Sequence, residues 1–402
     1  MAVLDAPAPS VLSARPPVAR PRPAAPPGTR PRAARDPFVD VVRAIGTVGV
    51  VLLHWLMAEA AWDGTTLAVG NALGHGAGWL VTYLQPLPLL FFAAGAAAGY
   101  QRTATASAGR GWGGVVAAQL RATARPVGAF AAAWAVAVAG LLALGVPDQA
   151  VWRMARMAPQ LLWFLAVWVV LVTLTPLLRA AWRRWRWGAL GVAVALPLAV
   201  DALRFGLPGD VTATLAGANV LLAWAVPFLA GIAYAAERGA PRRPGAGVRT
   251  RRPSRWPLAA GVVVAAVVLV VLVAAGPYPA SMIGMPGDEI SNLGPPTAPV
   301  VAHAVALVCA ALLAREALVR RASTDAGRRM VGALARRSMT VYLWHLTAMF
   351  AVVGVALLGL GERLPAAWGA DWWASRPVWF AAFGLVLLGL VRVFGRFEDR
   401  RR

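Results

Sequence analysis

An arginine and a histidine interrupt the first long apolar segment of the chain, which runs from Phe38 to Trp55. Arg43 and His54 are eleven residues apart, so in an α-helix they lie on one face, about 20° apart around the axis and about 16 Å apart along it. A histidine can take a proton from a hydroxyl near neutral pH, and an arginine can bind phosphate or carboxylate groups. Because 16 Å is comparable with the length of a pantetheine arm, a long acyl donor held at Arg43 could present its thioester to His54. A proton relay fits the same spacing.

Few other ionisable side chains fall within apolar segments, where a charge costs about 2.5–3.5 kcal/mol to insert and is a functional candidate. They are Asp201, His303 and His345. A structural role is equally open, because a histidine within a membrane can simply form a hydrogen bond that fixes the packing of two helices. Asp40 lies three residues before Arg43 on about the same face, which fits a local ion pair.

The composition is typical of a polytopic membrane protein. Of 402 residues, 59% are hydrophobic and 14% are charged, and the apolar residues form long runs. All 39 basic residues are arginine and lie mainly between those runs, so the net charge of +22 indicates membrane topology and lipid contact rather than nucleic-acid binding. The single cysteine, Cys309, excludes a disulfide framework and a thiolate metal site. We expect no metal and no bound cofactor.

The elements that position the candidate residues are ten apolar segments long enough to span a bilayer. They are predicted at 38–59, 79–100, 127–146, 158–178, 188–205, 214–236, 257–276, 299–318, 339–360 and 377–395. Arginines concentrate in alternate loops, which predicts an all-α, multi-pass protein of the plasma membrane with both termini cytoplasmic. In this topology His54 lies about two-thirds of the way toward the outer leaflet, and His345 lies in the inner half of its segment.

Three domains are predicted along the chain. Residues 1–37 are rich in Pro, Ala and Arg and read as a disordered cytoplasmic tail, 38–396 form the transmembrane domain, and 397–402 form a basic cytoplasmic tail. A Pro/Gly/Arg-rich linker at 237–256 separates six helices from four. The outer loop at 277–298 is polar and rich in turn residues, so it is either a plain connection or part of an outward-facing acceptor site.

The first helix resembles that of the membrane acyltransferase 3 family, because Asp40, Arg43 and His54 form the pattern D-x-x-R-x10-H. Further matches follow in the family's order. They are Pro88 to Gly95, Arg121 with Arg125-Pro126, Leu162 to Leu165, and Ser338 to His345. The resemblance extends over about residues 35–395.

The resemblance implies a membrane O-acyltransferase that uses acyl-CoA from the cytoplasm, with acetyl as the default acyl group. The acceptor would be a hydroxyl of a carbohydrate, a cell-wall glycan or a small metabolite. The family's essential arginine and histidine fall on Arg43 and His54. Arg121 and Arg125 would contact the donor phosphates, although ordinary positive charge on inner loops explains them equally well.

The remaining candidates would contribute to substrate binding. Tyr342 and His345 fall on the family's motif and could line the cavity, or they could form a buried hydrogen-bonded pair. Asn292 and His303 mark the face that an external acceptor would meet. In this interpretation His54 is the general base, and Arg43 positions the donor or stabilises negative charge near the thioester.

Two other functions fit the sequence. A transporter would share the polar helix face, but the division into six and four segments shows no internal repeat. A non-catalytic membrane scaffold would tolerate replacement of Arg43 and His54.

Overall fold

The computed structural model describes residues 36–207, 214–239, 254–285 and 287–399. The predicted all-α class is confirmed, because 79% of these residues are helical and their strands form only one two-stranded hairpin. The tail predicted for 1–37, apart from its last two residues, lies outside the described residues. So do most of the linker at 237–256 and the last three residues of the basic tail.

Thirteen α-helices and two strands are assigned in these ranges. The helices are α1 Pro37–Leu56, α2 Leu87–Ser107, α3 Trp112–Ala143, α4 Asp148–Met157, α5 Leu162–Thr173, α6 Thr175–Trp185, α7 Trp187–Gly206, α8 Asn219–Gly239, α9 Trp256–Ala275, α10 Ala298–Leu313, α11 Arg315–Ala322, α12 Asp325–Gly354 and α13 Ala370–Phe394. The strands β1 Ala60–Trp62 and β2 Leu67–Val69 pair antiparallel. A π-helical turn, Val355–Gly359, extends α12.

Nine helical segments of the described chain are long and apolar enough to cross a bilayer, and a tenth is formed if α10 and α11 count as one broken span with a 61° bend. The predicted number of spans is therefore confirmed. In the spans that include α1, α2 and α8, 56–61% of the most apolar window is buried, whereas in α9 only 11% is buried. Helices α1, α2 and α8 thus lie at the centre of the bundle, and α9 lies at its lipid-facing edge.

The loops gather on two sides of the bundle. On the side of the β-hairpin, Gln149 hydrogen bonds to the backbone of Leu67 at 2.8 and 3.1 Å, and the indole of Trp368 donates to the carbonyl of Ala72 at 2.7 Å. We call this the hairpin side. The opposite side carries most of the arginines in the described loops, and we call it the arginine side. The assignment of the arginine side to the cytoplasm stays a prediction.

The start of α1 is anchored on the arginine side. Asp36 caps the helix by accepting from the Phe38 amide at 3.0 Å, and its other carboxylate oxygen accepts from the hydroxyls of Tyr100 and Tyr234 at 2.8 and 2.9 Å. These bonds tie α1 to α2 and α8. The first helix therefore has a fixed starting level within the bundle.

Helices α2 and α8 pack backbone against backbone. A Cβ atom at Gly95 would overlap the carbonyl oxygen of Phe228, and one at Gly231 would overlap that of Phe92. Only glycine permits this approach, which is the usual role of small residues between membrane helices.

Helix α12 is bent at Arg337, whose φ and ψ are −126° and 15°. Glu398 caps the part of α12 that begins after the bend. Its two carboxylate oxygens accept from the backbone amides of Met339 and Thr340, each at 3.0 Å, and one of them also accepts from the Thr340 hydroxyl at 2.7 Å. A carboxylate at this position satisfies free N–H groups and interacts favourably with the helix dipole. Residues after α13 thus fix the second half of α12.

Candidate active site

Two histidines, on α1 and α12, meet inside the bundle. Nε2 of His345 lies 3.3 Å from Nδ1 of His54, and the ring centroids are 4.9 Å apart. The indole N–H of Trp55 donates to the carbonyl of His345 at 3.1 Å, which ties the two helices together beside the pair. His345 is fully buried, whereas His54 is half-buried.

The hydrogen bonds define how each ring is protonated. Nδ1 of His54 lies 2.8 Å from the carbonyl oxygen of Val50, and Nδ1 of His345 lies 2.7 Å from that of Tyr342. A carbonyl oxygen only accepts, so each Nδ1 carries the proton and each neutral ring has its lone pair on Nε2. Nε2 of His345 then accepts from the Nδ1–H of His54. Among the described residues, nothing hydrogen bonds to Nε2 of His54, which is left as a proton acceptor.

The two depths predicted for these histidines cannot both hold, because the rings are in contact. Helices α1 and α12 both run from the arginine side to the hairpin side, and Val331 belongs to the same buried cluster as Phe38 and Val39. Helix α12 therefore begins to pack against α1 about eight residues before the predicted start of its span at 339. This earlier start brings His345 to the level of His54.

A cavity of about 220 Å³ lies beside His54. Near the end of α1 its lining begins at His54 and continues through Met57 and Ala58, which follow the helix. On α12 it begins one residue beyond His345 and includes Leu346, Met349, Phe350, Val353 and Gly354. The hairpin, α4 and the turn before α5 form the remaining walls. The histidine pair therefore lies at the inner end of a cavity that extends only toward the hairpin side.

Along α1, Arg43 lies toward the arginine side of His54, and the cavity lies toward the hairpin side. Because α1 is a continuous helix, the two residues are separated along its axis by about 16 Å, as the sequence predicts. The guanidinium of Arg43 lies 3.9 Å from the carboxylate of Asp40, and its side chain is 32% exposed. The predicted local ion pair is present.

Arg121 and Arg125 line a second cavity of about 330 Å³ on the arginine side, together with Gln101 of α2 and the segment Phe397–Asp399. Both arginines are exposed. Glu398, at the edge of this cavity, caps α12 at Thr340, which precedes His345 by about 7.5 Å along the helix. This cavity, which two arginines and two carboxylates line, thus borders α12 about 7.5 Å from the level of the histidine pair.

Tyr342 and His345 are buried and do not line either of these cavities. The hydroxyl of Tyr342 donates to the carbonyl of Leu161 at 2.9 Å, and Leu161 itself lines the cavity beside His54. These two residues hold the wall and the histidine in place. Their predicted contact with substrate stays a prediction.

The other candidates are engaged within the protein. Asn292 is fully buried, donates to the carbonyls of Pro279 and Ser281 at 2.7 Å each, and accepts from the Thr297 hydroxyl at 2.6 Å. Nε2 of His303 donates to the carbonyl of Gln85 at 3.0 Å. These contacts shape the loops of the hairpin side.

Asp201 is also buried and fully engaged. Its carboxylate accepts from the Ala298 amide at 2.6 Å, the Asn219 amide at 3.0 Å and the Tyr278 hydroxyl at 3.2 Å. Asp201 therefore caps the start of α10 and connects it to α7 and α8. None of Asp201, Asn292 and His303 lines either cavity.

Sequence reasoning did not find that His54 and His345 form a pair, nor that Glu398 caps α12. A signal for His345 existed in the resemblance at Ser338 to His345. Glu398 gave none, since one carboxylate within a basic terminus has no pattern that identifies its partner.

Comparison with known proteins gives one match. A family model described as an acyltransferase domain matches residues 36–394. The comparisons with curated proteins and with solved structures gave no match. The matched range contains both histidines, Arg43 and the whole lining of the cavity beside His54, so it covers the site as well as most of the chain. The chain therefore belongs to the acyltransferase 3 family and is a membrane acyltransferase.

Proposed function

We propose that this acyltransferase transfers an acyl group from acyl-CoA to a hydroxyl of a carbohydrate, a cell-wall glycan or a small metabolite, in the plasma membrane. The observation that carries the proposal is the state of His54. Its Nδ1–H donates to Val50 and His345, none of the described residues hydrogen bonds to its Nε2, and its side chain lines a cavity. A general base needs this arrangement, in which one ring nitrogen is oriented and the other accepts a proton.

The reaction would begin when Nε2 of His54 removes the proton from the acceptor hydroxyl. The oxygen attacks the thioester carbonyl, the carbon–sulfur bond breaks, and Nε2–H returns the proton to the thiolate, which gives an ester and free CoA. While His54 is charged, its Nδ1–H donates to Val50 and His345. The hydrogen-bond chain ends at the carbonyl of Tyr342, which takes no proton, so His54 both accepts and returns the same proton.

Acyl-CoA would approach from the arginine side. Arg43 lies on that side, and Arg121 and Arg125 line a cavity there together with Glu398 and Asp399. Guanidinium groups bind phosphates through charge-assisted hydrogen bonds. The separation of about 16 Å between Arg43 and His54 would be bridged by the pantetheine arm. The acceptor would then meet His54 from another direction.

The test uses membranes that contain the wild-type protein or a variant, incubated with radiolabelled acyl-CoA. Mass spectrometry of glycans and metabolites from cells with and without the protein identifies the acceptor by a lost acyl increment. His54→Ala should reduce transfer at least about a hundredfold, and Arg43→Lys should reduce it less. His75→Ala is the matched control, because His75 is an exposed loop histidine that lines neither cavity.

Wild-type transfer by a correctly folded His54→Ala protein would refute the catalytic role. Solute uptake that consumes no acyl group would favour a transporter instead.

A further inference from the structure

The cavity beside His54 is lined mainly by apolar side chains, and four of its lining residues are methionines, which adapt to ligand shape. They are Met57, Met154, Met157 and Met349. We propose that this cavity binds the hydrocarbon chain of the donor, so that the transferred acyl group has about six to eight carbons rather than two. The inference rests on the proposed function, because it assumes acyl-CoA as the donor.

The direction of the cavity supports this assignment. A donor that enters from the arginine side reaches the histidine pair with its thioester, and the atoms beyond the thioester are those of the acyl chain. The lining continues toward the hairpin side only, from His54 through Met57 and Ala58 after α1, and from Leu346 along α12. The straight continuation of the donor beyond His54 therefore lies in this cavity.

The volume agrees with a chain of this length. An apolar cavity of about 150 Å³ accommodates a six-carbon benzene molecule. The cavity beside His54 measures about 220 Å³. An acetyl group would leave most of this space empty, whereas a hexanoyl or octanoyl chain would fill it.

The polar groups of the cavity do not suit a sugar. The polar side-chain groups in its lining belong to His54, Glu59, Gln160 and Trp163, and Glu59 already accepts from His75 at 2.8 Å. His54 is needed for the reaction. A sugar ring would leave several hydroxyls without partners, which disfavours its binding. A hydrocarbon chain has no such requirement.

Gly354 offers a way to shorten the cavity. It lines the wall on α12, has helical backbone angles of −61° and −45°, and an added Cβ would meet no atom within 4 Å. Gly354→Leu should therefore fold and project a side chain into the cavity. Gly140→Leu is the matched control, because Gly140 is a helical, exposed glycine of α3 with equally open space and lines neither cavity.

The test measures binding of acetyl-CoA, hexanoyl-CoA and octanoyl-CoA to the purified protein in detergent by titration calorimetry. We expect affinity to rise by up to about fourfold per methylene, which corresponds to about 0.8 kcal/mol for each buried methylene. Hexanoyl-CoA should thus bind at least about tenfold more tightly than acetyl-CoA. Gly354→Leu should reduce this ratio at least about fivefold, and Gly140→Leu should retain it. Any partitioning of the chains into detergent affects both variants equally.

Equal affinity of the wild-type protein for acetyl-CoA and hexanoyl-CoA would overturn the inference, as would the same ratio in Gly354→Leu and Gly140→Leu. Either result leaves the proposed function standing. If no acyl-CoA of any length binds and none is consumed in a His54-dependent reaction, the proposed function itself fails.

Discussion

The hydrogen bond from His54 to His345 predicts that His345 acts as a positioning residue. His345→Phe keeps a ring of similar size but removes the acceptor that lies 3.3 Å from Nδ1 of His54. During transfer that bond is donated by a charged imidazolium, and hydrogen bonds to charged groups contribute about 1.5–3 kcal/mol. Because this contribution is made mainly when His54 is charged, its loss should lower kcat about 10- to 150-fold and change KM little.

His345→Gln separates this effect from a loss of packing. The glutamine side-chain oxygen can take the place of Nε2 and accept from His54, so this variant should retain activity within about tenfold of wild type. His303→Phe measures the cost of removing a different buried histidine that also bonds to a backbone carbonyl. Initial rates over a range of acyl-CoA concentrations, normalised to folded protein in detergent, provide kcat and KM.

The reasoning fails if His345→Phe and His345→Gln have equal kcat values. It also fails if His345→Phe reduces kcat no more than His303→Phe does. A fall confined to the yield of folded protein would assign His345 a purely structural role.

Three further predictions concern the scaffold. Glu398→Ala should destabilise the protein by about 1–3 kcal/mol, because it removes three hydrogen bonds at the start of the second half of α12. Asp399→Ala, at an exposed ion pair, should destabilise it less, and thermal unfolding of both variants in detergent checks the difference. Asp201→Ala should lower the thermal midpoint by more than Glu398→Ala, because it removes the shared acceptor of the Ala298 amide at the start of α10, the Asn219 side chain of α8 and the Tyr278 hydroxyl. Gly95→Ala should abolish the monodisperse fraction in size-exclusion chromatography, because the methyl group would overlap a backbone carbonyl of α8, whereas Gly384→Ala, with no atom within 4 Å of the added Cβ, should elute as wild type.

Each of these has a distinct contrary result. Equal unfolding midpoints for Glu398→Ala and Asp399→Ala would show that the cap does not stabilise α12. An Asp201→Ala midpoint at or above that of Glu398→Ala would mean that loop rearrangement or water replaces the lost acceptor. Normal elution of Gly95→Ala would show that α2 and α8 can separate without unfolding.

Features that lie within one helix could be predicted from the sequence. Arg43 and His54 share a face and an axial separation because helix geometry fixes both once the segment is helical. The ten spans follow from their length and apolar character in the same way. The concentration of arginines in alternate loops can likewise be predicted without knowing which helices are in contact.

Contacts between helices could not be predicted in this way. His54 and His345 are 291 residues apart, and nothing in either helix specifies the other. Their predicted depths differ because the predicted span that contains His345 begins at 339, where the apolar run becomes continuous. Val331 shows that packing against α1 starts earlier, within a stretch whose exposed positions carry arginines. Hydropathy identifies the apolar run, but not the first buried residue of a helix that also borders a polar surface.

The level of His345 is then set by residues far from it in sequence. The bend at Arg337 frees the amides of Met339 and Thr340, and Glu398 accepts from both. This cap fixes where the second half of α12 begins, and His345 follows Thr340 by about 7.5 Å along the axis. A shift of one helical turn, about 5.4 Å, would remove Nε2 of His345 from hydrogen-bonding distance of His54. The segment after α13 therefore both borders the cavity of Arg121 and Arg125 and holds the histidine pair in register, so a single helix connects the arginine side to the proposed reaction centre.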